Sequence, residues 1–276
     1  MKFKRGKTLE RTITGKALHY NAGASRWYEK ELDELIGRMR RQYERELSKL
    51  STGIQEEFAM DASIASQTRV ALAWLGRKFS KLFGEEAKRI TESFINRVDK
   101  AEKVALKDSL YEASKVFTIK TPDMPLDLKE RLTASTVENV ALIKSIQTQY
   151  HDRITSAVMT SVQSGGAGAA TIMKEVKHIG GMSDKRAHLI ATDQTRKITT
   201  AMNSERLKSI GVTQFKWRHS GGGGEPRHLH VQYDGQIFDL DNPPVIDTKT
   251  GERGLPGQLI NCRCVMIPVI PKLSGS

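Results

Sequence analysis

The chain has 276 residues, of which 38% are hydrophobic, 6% aromatic and 28% charged, and its net charge at pH 7 is +12. That length suffices for one large domain or two smaller ones. No apolar run approaches the roughly 20 residues that cross a bilayer, and none follows the basic N-terminus, so we expect neither a membrane span nor a secretory signal. We therefore expect a protein of the cytoplasm, or of an assembly made there.

Positive charge is concentrated at the start of the chain, where residues 1–50 hold 13 Lys and Arg against 7 Asp and Glu. Basic surface attracts polyanions, of which nucleic acid is the usual one. Charges of both signs alternate along the predicted helices, and no DNA- or RNA-reading motif occurs in the sequence. The pattern favours general electrostatic affinity over sequence-specific binding, and a solvated basic face is the alternative.

The first two thirds of the chain predict a flexible basic arm followed by helices. Residues 1–24 hold turn formers and few large apolar groups, and Ser25 is a possible helix N-cap. Beyond it, apolar residues recur every three or four positions with charges between them, as in amphipathic helices. These stripes are Leu32, Leu35, Ile36, Met39, Tyr43, Leu47 and Leu50; Leu72, Leu75, Phe79, Leu82 and Phe83; and Ile90, Phe94, Val98, Ala101 and Val104. None holds a strict heptad, so they predict a helical bundle rather than a coiled coil.

Glycine and proline divide the rest of the helical pattern. The two prolines of Thr121–Pro125 stop the first run. The glycine-rich stretch 164–168 lacks the Lys-Ser/Thr ending of a phosphate-binding loop and predicts a flexible turn. Gly180 and Gly181 predict the end of one helix, and Ser183 the N-cap of the next.

From Val212 onward the character of the sequence changes from helical to β-like. The strands predicted there are Gln214–Arg218, Gln236–Phe238 and Cys264–Ile270, with glycine-containing turns between them. The predicted fold class is α+β, in which a long and mainly helical N-terminal region precedes a small β-rich C-terminal domain. We place the helical region at 25–182 and the C-terminal domain at 183–276.

Two residue pairs in the β-rich part predict a metal site. His228 and His230 are one residue apart, and so are Cys262 and Cys264, the only cysteines of the chain. Residues i and i+2 of an extended segment project from one face, so these four side chains predict a tetrahedral zinc site. The alternative is that the cysteines are small buried hydrophobes and the histidines are surface or hydrogen-bonded groups. The cysteines are badly placed for a mutual disulfide, which fits a reducing compartment.

A nucleic-acid-cleaving enzyme is the catalytic alternative. It would use histidine for proton transfer and arginine to stabilise charge on phosphorus, and the candidates are His219, Arg227, His228, His230 and Asp234. These residues lack a recognisable active-site frame, so the sequence favours a role without catalysis. A cysteine nucleophile is disfavoured because the apolar flanks of both thiols predict a raised pKa.

Twelve residues, called the signature residues below, follow one another in a distinctive order and spacing. They are Asp193, Arg196, Trp217, Arg227, His230, Asp234, Gly235, Pro256, Gly257, Cys262, Arg263 and Cys264. Through them, residues 183 to about 268 resemble the head morphogenesis domain of tailed-phage minor head proteins, the Mu F-like family. Many members have an acidic residue where this chain has Gln194. Many also have His-Pro-Asn where it has Leu259–Asn261, so one family-type histidine ligand is absent here.

The resemblance implies a minor structural protein of the virion, present in few copies inside the head near the portal. It would assist head assembly, DNA packaging or DNA ejection. The expected partners are the portal protein, a major capsid or scaffold protein, and packaged DNA bound without sequence specificity. Asp193 and Arg196, three residues apart on a helix, are expected to form a local ion pair or to support the β-rich part.

Overall fold

The computed structural model describes residues 13–56, 61–114, 126–163, 169–221 and 226–270. The long helices are α1 (Ala22–Glu56), α2 (Asp61–Ser114), α3 (Leu126–Gln163) and α4 (Ala169–Ser209). The shorter elements are β1 (Ile13–Thr14), β2 (Gln214–Arg218), α5 (His228–Gln232), β3 (Ile237–Asp239) and β4 (Val265–Ile270). This order of long helices followed by a small sheet confirms the predicted α+β class.

The chain forms two compact units, each assembled from segments that are distant in sequence. The sheet unit contains the described residues up to Ser25 together with 94–135 and those from 192 onward, and the helical unit contains 26–93 and 136–191. Helices α2, α3 and α4 each give one part of their length to each unit. The units are therefore interleaved along the chain, whereas the sequence pattern divides it into consecutive regions.

The core of the helical unit contains the first predicted apolar stripe. The side chains of the first stripe from Leu32 to Leu47 are all buried. Within this core the ring of Tyr43 lies edge-on to that of Tyr150, with 5.2 Å between ring centroids. The Tyr43 hydroxyl also forms a 2.7 Å hydrogen bond with Nδ1 of His151. Burial of an amphipathic face thus stabilises these helices, as the three-to-four-residue spacing predicts.

The helix break predicted at Gly180 and Gly181 is wrong, because α4 runs through both residues. The hydroxyl of Ser183 donates to the carbonyl of Ile179 at 3.2 Å, inside the helix, instead of capping a new one. A Cβ on Gly180 would lie 2.9 Å from Cδ of Arg40. Close approach of the Arg40 side chain therefore accounts for glycine in a helix interior, where it otherwise costs about 1 kcal/mol.

One further helix boundary, the start of α1, differs from prediction. Helix α1 begins at Ala22 instead of Ser25, because Oδ1 of Asn21 accepts a 2.7 Å hydrogen bond from the backbone N–H of Ala24 and caps the helix. The second and third stripes belong to one helix, α2, and Val104 at the end of the third stripe is 60% exposed. The predicted breaks at Thr121–Pro125 and 164–168 lie outside the described residues.

The sheet is antiparallel, in the order β1-β4-β2-β3, and its three longer strands confirm the predicted ones. Trp217 of β2 lies opposite Met266 of β4. Residues 13–18, which the sequence assigns to the arm, also join the sheet: Ile13 pairs with Ile270, and the Leu18 N–H donates to the Met266 carbonyl at 2.9 Å. Leu18 is buried, and burial of its apolar side chain stabilises the packing of this segment.

The core of the sheet unit surrounds Trp217, which is fully buried. It unites side chains from α2, α4, the strands and the long segment between β3 and β4. They include Leu18, Leu106, Leu110, Leu207, Val212, Phe215, Leu240, Ile246, Leu255, Cys262, Cys264, Met266 and Ile270. No helix in the described part of the chain is both long enough and apolar enough to cross a bilayer.

A buried polar cluster joins α2 to α4 inside the sheet unit. The carboxylate of Glu102 accepts hydrogen bonds from Oγ1 of Thr199 at 3.2 Å and from Nδ2 of Asn203 at 2.9 Å. Burial raises the pKa of Glu102, against the lowering effect of these two donors and of the Arg206 charge. One turn further along α4, Arg206 forms a buried ion pair with Asp99. The two helices are thus tied by polar contacts as well as by apolar packing.

Replacement of Glu102 should separate its two roles. Glu102→Gln keeps groups that can satisfy Thr199 and Asn203 but removes the buried charge, so the free energy of unfolding at pH 7 should be unchanged or higher. Glu102→Leu leaves Thr199 and Asn203 without these hydrogen bonds and should lower the free energy of unfolding by about 1–3 kcal/mol. Urea unfolding followed by circular dichroism measures both effects.

The pH dependence supplies the control. The folded-state pKa of Glu102 is raised, so wild-type stability should fall as pH rises through the window between the ordinary and the raised value. The Gln variant should lack this fall. A Gln variant as unstable as the Leu variant would contradict the assignment.

Candidate functional site

Three side chains of the sheet unit bring potential metal ligands together. They are His230, Cys262 and Cys264, and one ligand atom from each lies within 4.8 Å of the other two. The Nδ1 atom of His230 is 3.5 Å from Sγ of Cys262 and 3.8 Å from Sγ of Cys264. All three side chains are buried, and within the described residues they form the only such group of His, Cys, Asp or Glu.

The environment of His230 fixes which ring nitrogen faces the sulfurs. Its Nε2 atom lies 3.0 Å from the backbone carbonyl of Ile246. A carbonyl only accepts hydrogen bonds, so Nε2 carries the proton, and in the neutral ring Nδ1 presents a lone pair to both cysteines. The Trp217 ring contacts the imidazole edge-on, with 5.1 Å between ring centroids. His230 is thus held from two sides in one orientation.

His228 does not join this cluster, although the sequence predicts it as a ligand. The segment is not extended but forms the short helix α5, in which residues two apart point in roughly opposite directions. His230 therefore faces the core while His228 is exposed. The structure brings together three of the four predicted ligands.

A tight turn positions the two cysteines. The backbone N–H of Cys262 donates to the carbonyl of Leu259 at 2.9 Å, and Asn261 between them has a φ of 60°. Asparagine tolerates this left-handed conformation better than most residues. Arg263 is exposed between two buried cysteines, as alternation in an extended segment predicts. The turn thus directs both thiols towards His230.

The signature residue Arg227 supports this turn from outside. Its Nη2 atom donates to the carbonyl of Ile260 at 3.1 Å. Arg227 immediately precedes α5, so the contact joins the start of that helix to the turn before Cys262. Its guanidinium is engaged with the protein backbone.

The two thiols differ in acidity, which corrects the expectation that burial raises both. The hydrogen bond from the Cys264 thiol lowers the pKa of Cys262 to about 4, against the effect of burial. The same hydrogen bond, together with burial and the Cys262 charge, raises the pKa of Cys264 far above its ordinary range. The pair therefore favours a state with one thiolate, held by Cys262.

His219 lies beside the cluster and is the functional candidate that the predicted ligand set misses. Its Nδ1 atom is 3.6 Å from Sγ of Cys264. The pairing of β2 with β4 sets Arg218 opposite Val265, so the next residues outward, His219 and Cys264, also meet. Strand register is the signal that could have found this contact, since it pairs residues 45 positions apart.

Asp234 and Gly235 hold the backbone on which His219 sits. A carboxylate oxygen of Asp234 accepts a 2.9 Å hydrogen bond from the His219 N–H, and the Gly235 N–H donates to the carbonyl of Trp217 at 2.9 Å. Gly235 has a φ of 82°, which favours glycine. These two signature residues therefore fix the turn next to the cluster.

Pro256 and Gly257 connect the cluster to α4. Oγ1 of Thr200 donates to the carbonyl of Pro256 at 2.7 Å. Gly257 has a φ of 88°, and a Cβ there would lie 3.0 Å from Oγ1 of Thr200. The glycine is therefore required by conformation and by the approach of the helix.

The local ion pair predicted between Asp193 and Arg196 is wrong. Asp193 pairs instead with Lys197, one turn further along the helix, at 3.2 Å. The guanidinium of Arg196 lies over the ring of Tyr20, 4.8 Å from its centroid. Cation–π stacking on the segment that follows β1 thus replaces the expected pair and ties α4 to the N-terminal part of the sheet unit.

The residues of the catalytic alternative do not converge on one exposed site. Both ring nitrogens of His230 have protein neighbours, whereas His228 is exposed on α5. Arg227 is bound to a carbonyl, and Asp234 binds the His219 backbone. Their polar groups thus serve the local fold, and this geometry does not favour the nuclease hypothesis.

Comparison with known proteins places the signature residues in a family. Residues 152–267 match the family model described as Phage Mu protein F like protein. An uncharacterized protein of Haemophilus influenzae is 30% identical over 247 residues, which is 88% of this chain and 53% of that protein. The uncharacterized protein YqbB of Bacillus subtilis is 24% identical over 203 residues, which is 68% of this chain and 62% of that protein. The chain thus spans little more than half the length of these relatives. No solved structure matches it significantly.

Substitution of Gly257 should test how closely α4 and the cluster loop are coupled. Gly257→Ala forces a side chain into a positive-φ conformation, at about 1–3 kcal/mol, and displaces the Thr200 hydroxyl from its hydrogen bond, at about 1 kcal/mol more. Gly251→Ala is the matched control, because Gly251 also has a positive φ of 71° but open space around it. We expect the Gly257 variant to unfold at a lower urea concentration than the control. Equal midpoints would contradict the contact with α4.

Proposed function

Because residues 152–267 belong to the Phage Mu protein F-like family, a family of phage head morphogenesis proteins, we propose that this chain is a minor head protein of a tailed phage. In this role it binds the portal protein inside the head. It assists head assembly and the packaging or ejection of DNA. The family match is the observation that carries the proposal.

The geometry of the signature residues supports a structural role. Trp217, His230, Cys262 and Cys264 are buried, and Asp234 and Arg227 bind backbone groups. These polar side chains therefore stabilise the fold, as expected in a module that binds a partner rather than catalyses a reaction. The surface that meets a partner then lies on other residues of the module.

The charge of the chain supports contact with packaged DNA. The net charge of +12 gives a general attraction to polyanions. Arginine and lysine side chains along α1 are exposed, among them Arg26, Arg41 and Arg45. Exposed basic side chains suit phosphate contacts that carry no sequence information.

Co-expression with the portal protein of the same phage tests the partner. The two proteins should elute together from a size-exclusion column at a fixed ratio. They should stay together at about 0.5 M salt, where purely electrostatic attraction between surfaces is screened. The major capsid protein, expressed in place of the portal, is the control for unspecific retention.

The virion supplies an independent measurement of the same proposal. Mass spectrometry of purified particles should detect this protein in far fewer copies than the capsid protein. A chain that remains alone beside the portal, and that is missing from particles, would overturn the proposal.

DNA binding should be independent of sequence and sensitive to salt. If about three phosphates are contacted, the affinity should fall about 40-fold between 50 and 200 mM salt. Fluorescence anisotropy with two duplexes of equal length and unrelated sequence measures both properties. Clear discrimination between the duplexes, or an affinity insensitive to salt, would contradict the electrostatic mode.

The same samples test the nuclease alternative. Plasmid and RNA should remain intact after incubation with the protein. Cleavage that disappears in His228→Ala, an exposed position outside the core, would favour the enzyme over the purely structural role. His228 suits this test better than His230, whose replacement disturbs the core itself.

A further inference from the structure

The buried cluster of the sheet unit has the donor set and the spacing of a metal site. Tetrahedral zinc has bonds of about 2.3 Å to sulfur and about 2.0–2.1 Å to nitrogen, which places sulfur and nitrogen about 3.6 Å apart. The sulfur–nitrogen distances around Cys262 and Cys264 are 3.5, 3.6 and 3.8 Å. We propose that His219, His230, Cys262 and Cys264 bind one zinc ion that holds this part of the fold together.

The orientation of His230 supports ligation through Nδ1. Ligating histidines almost always donate their second ring N–H to a carbonyl or carboxylate, which fixes the tautomer. The Nε2 contact with the Ile246 carbonyl provides this arrangement. The Nδ1 lone pair therefore points towards both sulfurs, at 3.5 and 3.8 Å, as ligation of one shared ion requires.

The identity of the donors indicates which metal fits the cluster. Thiolates, not thiols, ligate metals. Two thiolates and two imidazoles suit zinc better than magnesium or calcium, which prefer oxygen.

His219 closes the fourth position. It follows the last residue of β2, it is half-buried, and its backbone is held by Asp234. Its Nδ1 atom contacts only one of the two sulfurs, at Cys264. A rotation about its side-chain bonds is therefore needed to bring Nδ1 to the ion that the other three surround. The closed set of four protein ligands is that of a structural site, whereas a catalytic site keeps one position for water.

Metal analysis of the full-length protein is the direct test. The chain purified without chelator, or stripped and then dialysed against zinc, should hold about one equivalent of zinc by mass spectrometry. His230→Ala and Cys262→Ser should retain less than about a tenth of that. His228→Ala is the matched control and should bind like the wild type, because His228 is exposed on α5. A wild type that takes up far less than one equivalent, or equal loss in the His228 variant, overturns the site.

Cobalt bound in place of zinc gives a second test of the ligands, which applies even if a core variant fails to fold. Stripped wild type loaded with cobalt should show the intense visible bands of tetrahedral coordination and a thiolate-to-metal band in the near ultraviolet. His219→Ala should bind cobalt at least tenfold more weakly and show a changed visible spectrum. An unchanged affinity and spectrum in this variant would overturn His219 as the fourth ligand.

Thiol reactivity distinguishes metal from hydrogen bonding alone. Zinc should protect both cysteines from alkylation, and a chelator should restore reactivity at least tenfold. Identical reactivity with and without chelator, in folded protein, would show that thiol–imidazole hydrogen bonds suffice and would overturn the proposal.

Discussion

The fold of the sheet unit depends on the fixed position of one imidazole. His230 meets the Ile246 carbonyl on one side and two cysteine sulfurs on the other. These partners belong to the long connection between β3 and β4, which contains no regular strand between Leu240 and Cys264 beyond a single bridge from Val245 to Arg253. A loop of that length orders its backbone at a substantial cost in conformational entropy. Burial of Leu240, Ile246 and Leu255 offsets much of this cost, and polar contacts at a few points fix where the backbone lies.

Trp217 extends this constraint into the apolar core. It packs edge-on against His230, Tyr233 and Phe238. The indole thus links the histidine of the cysteine cluster to the apolar core of the sheet unit. Because the rings interlock, an altered orientation of the histidine would be transmitted to β2 and β3. The signature residues around Trp217 therefore act together in packing and not as separate reactive groups.

Periodicity predicts much of the fold and little of the site. The apolar stripe from Leu32 to Leu47 and the alternation in Gln214–Arg218 each report burial of one face, so the helix and the strand follow from local pattern. The break at Gly180 is mispredicted because the reason for that glycine is a side chain 140 positions away, Arg40. The ligand pair His228 and His230 fails for a different reason. A five-residue helix leaves too short a pattern to be told from an extended segment, and that difference decides which histidine faces the sulfurs.

The missing histidine before Cys262 has a consequence for the cluster. The resemblance implies a histidine ligand at the position that this chain fills with Leu259–Asn261, and no histidine lies there. His219 contacts Cys264 instead, from the end of β2, where the register of the sheet places it. A tetrahedral site constrains where its four donors lie in space but not where they lie in sequence. In the proposed zinc site, a donor that follows β2 takes the place of the histidine expected before Cys262, so the departure from the family pattern is compatible with four protein ligands.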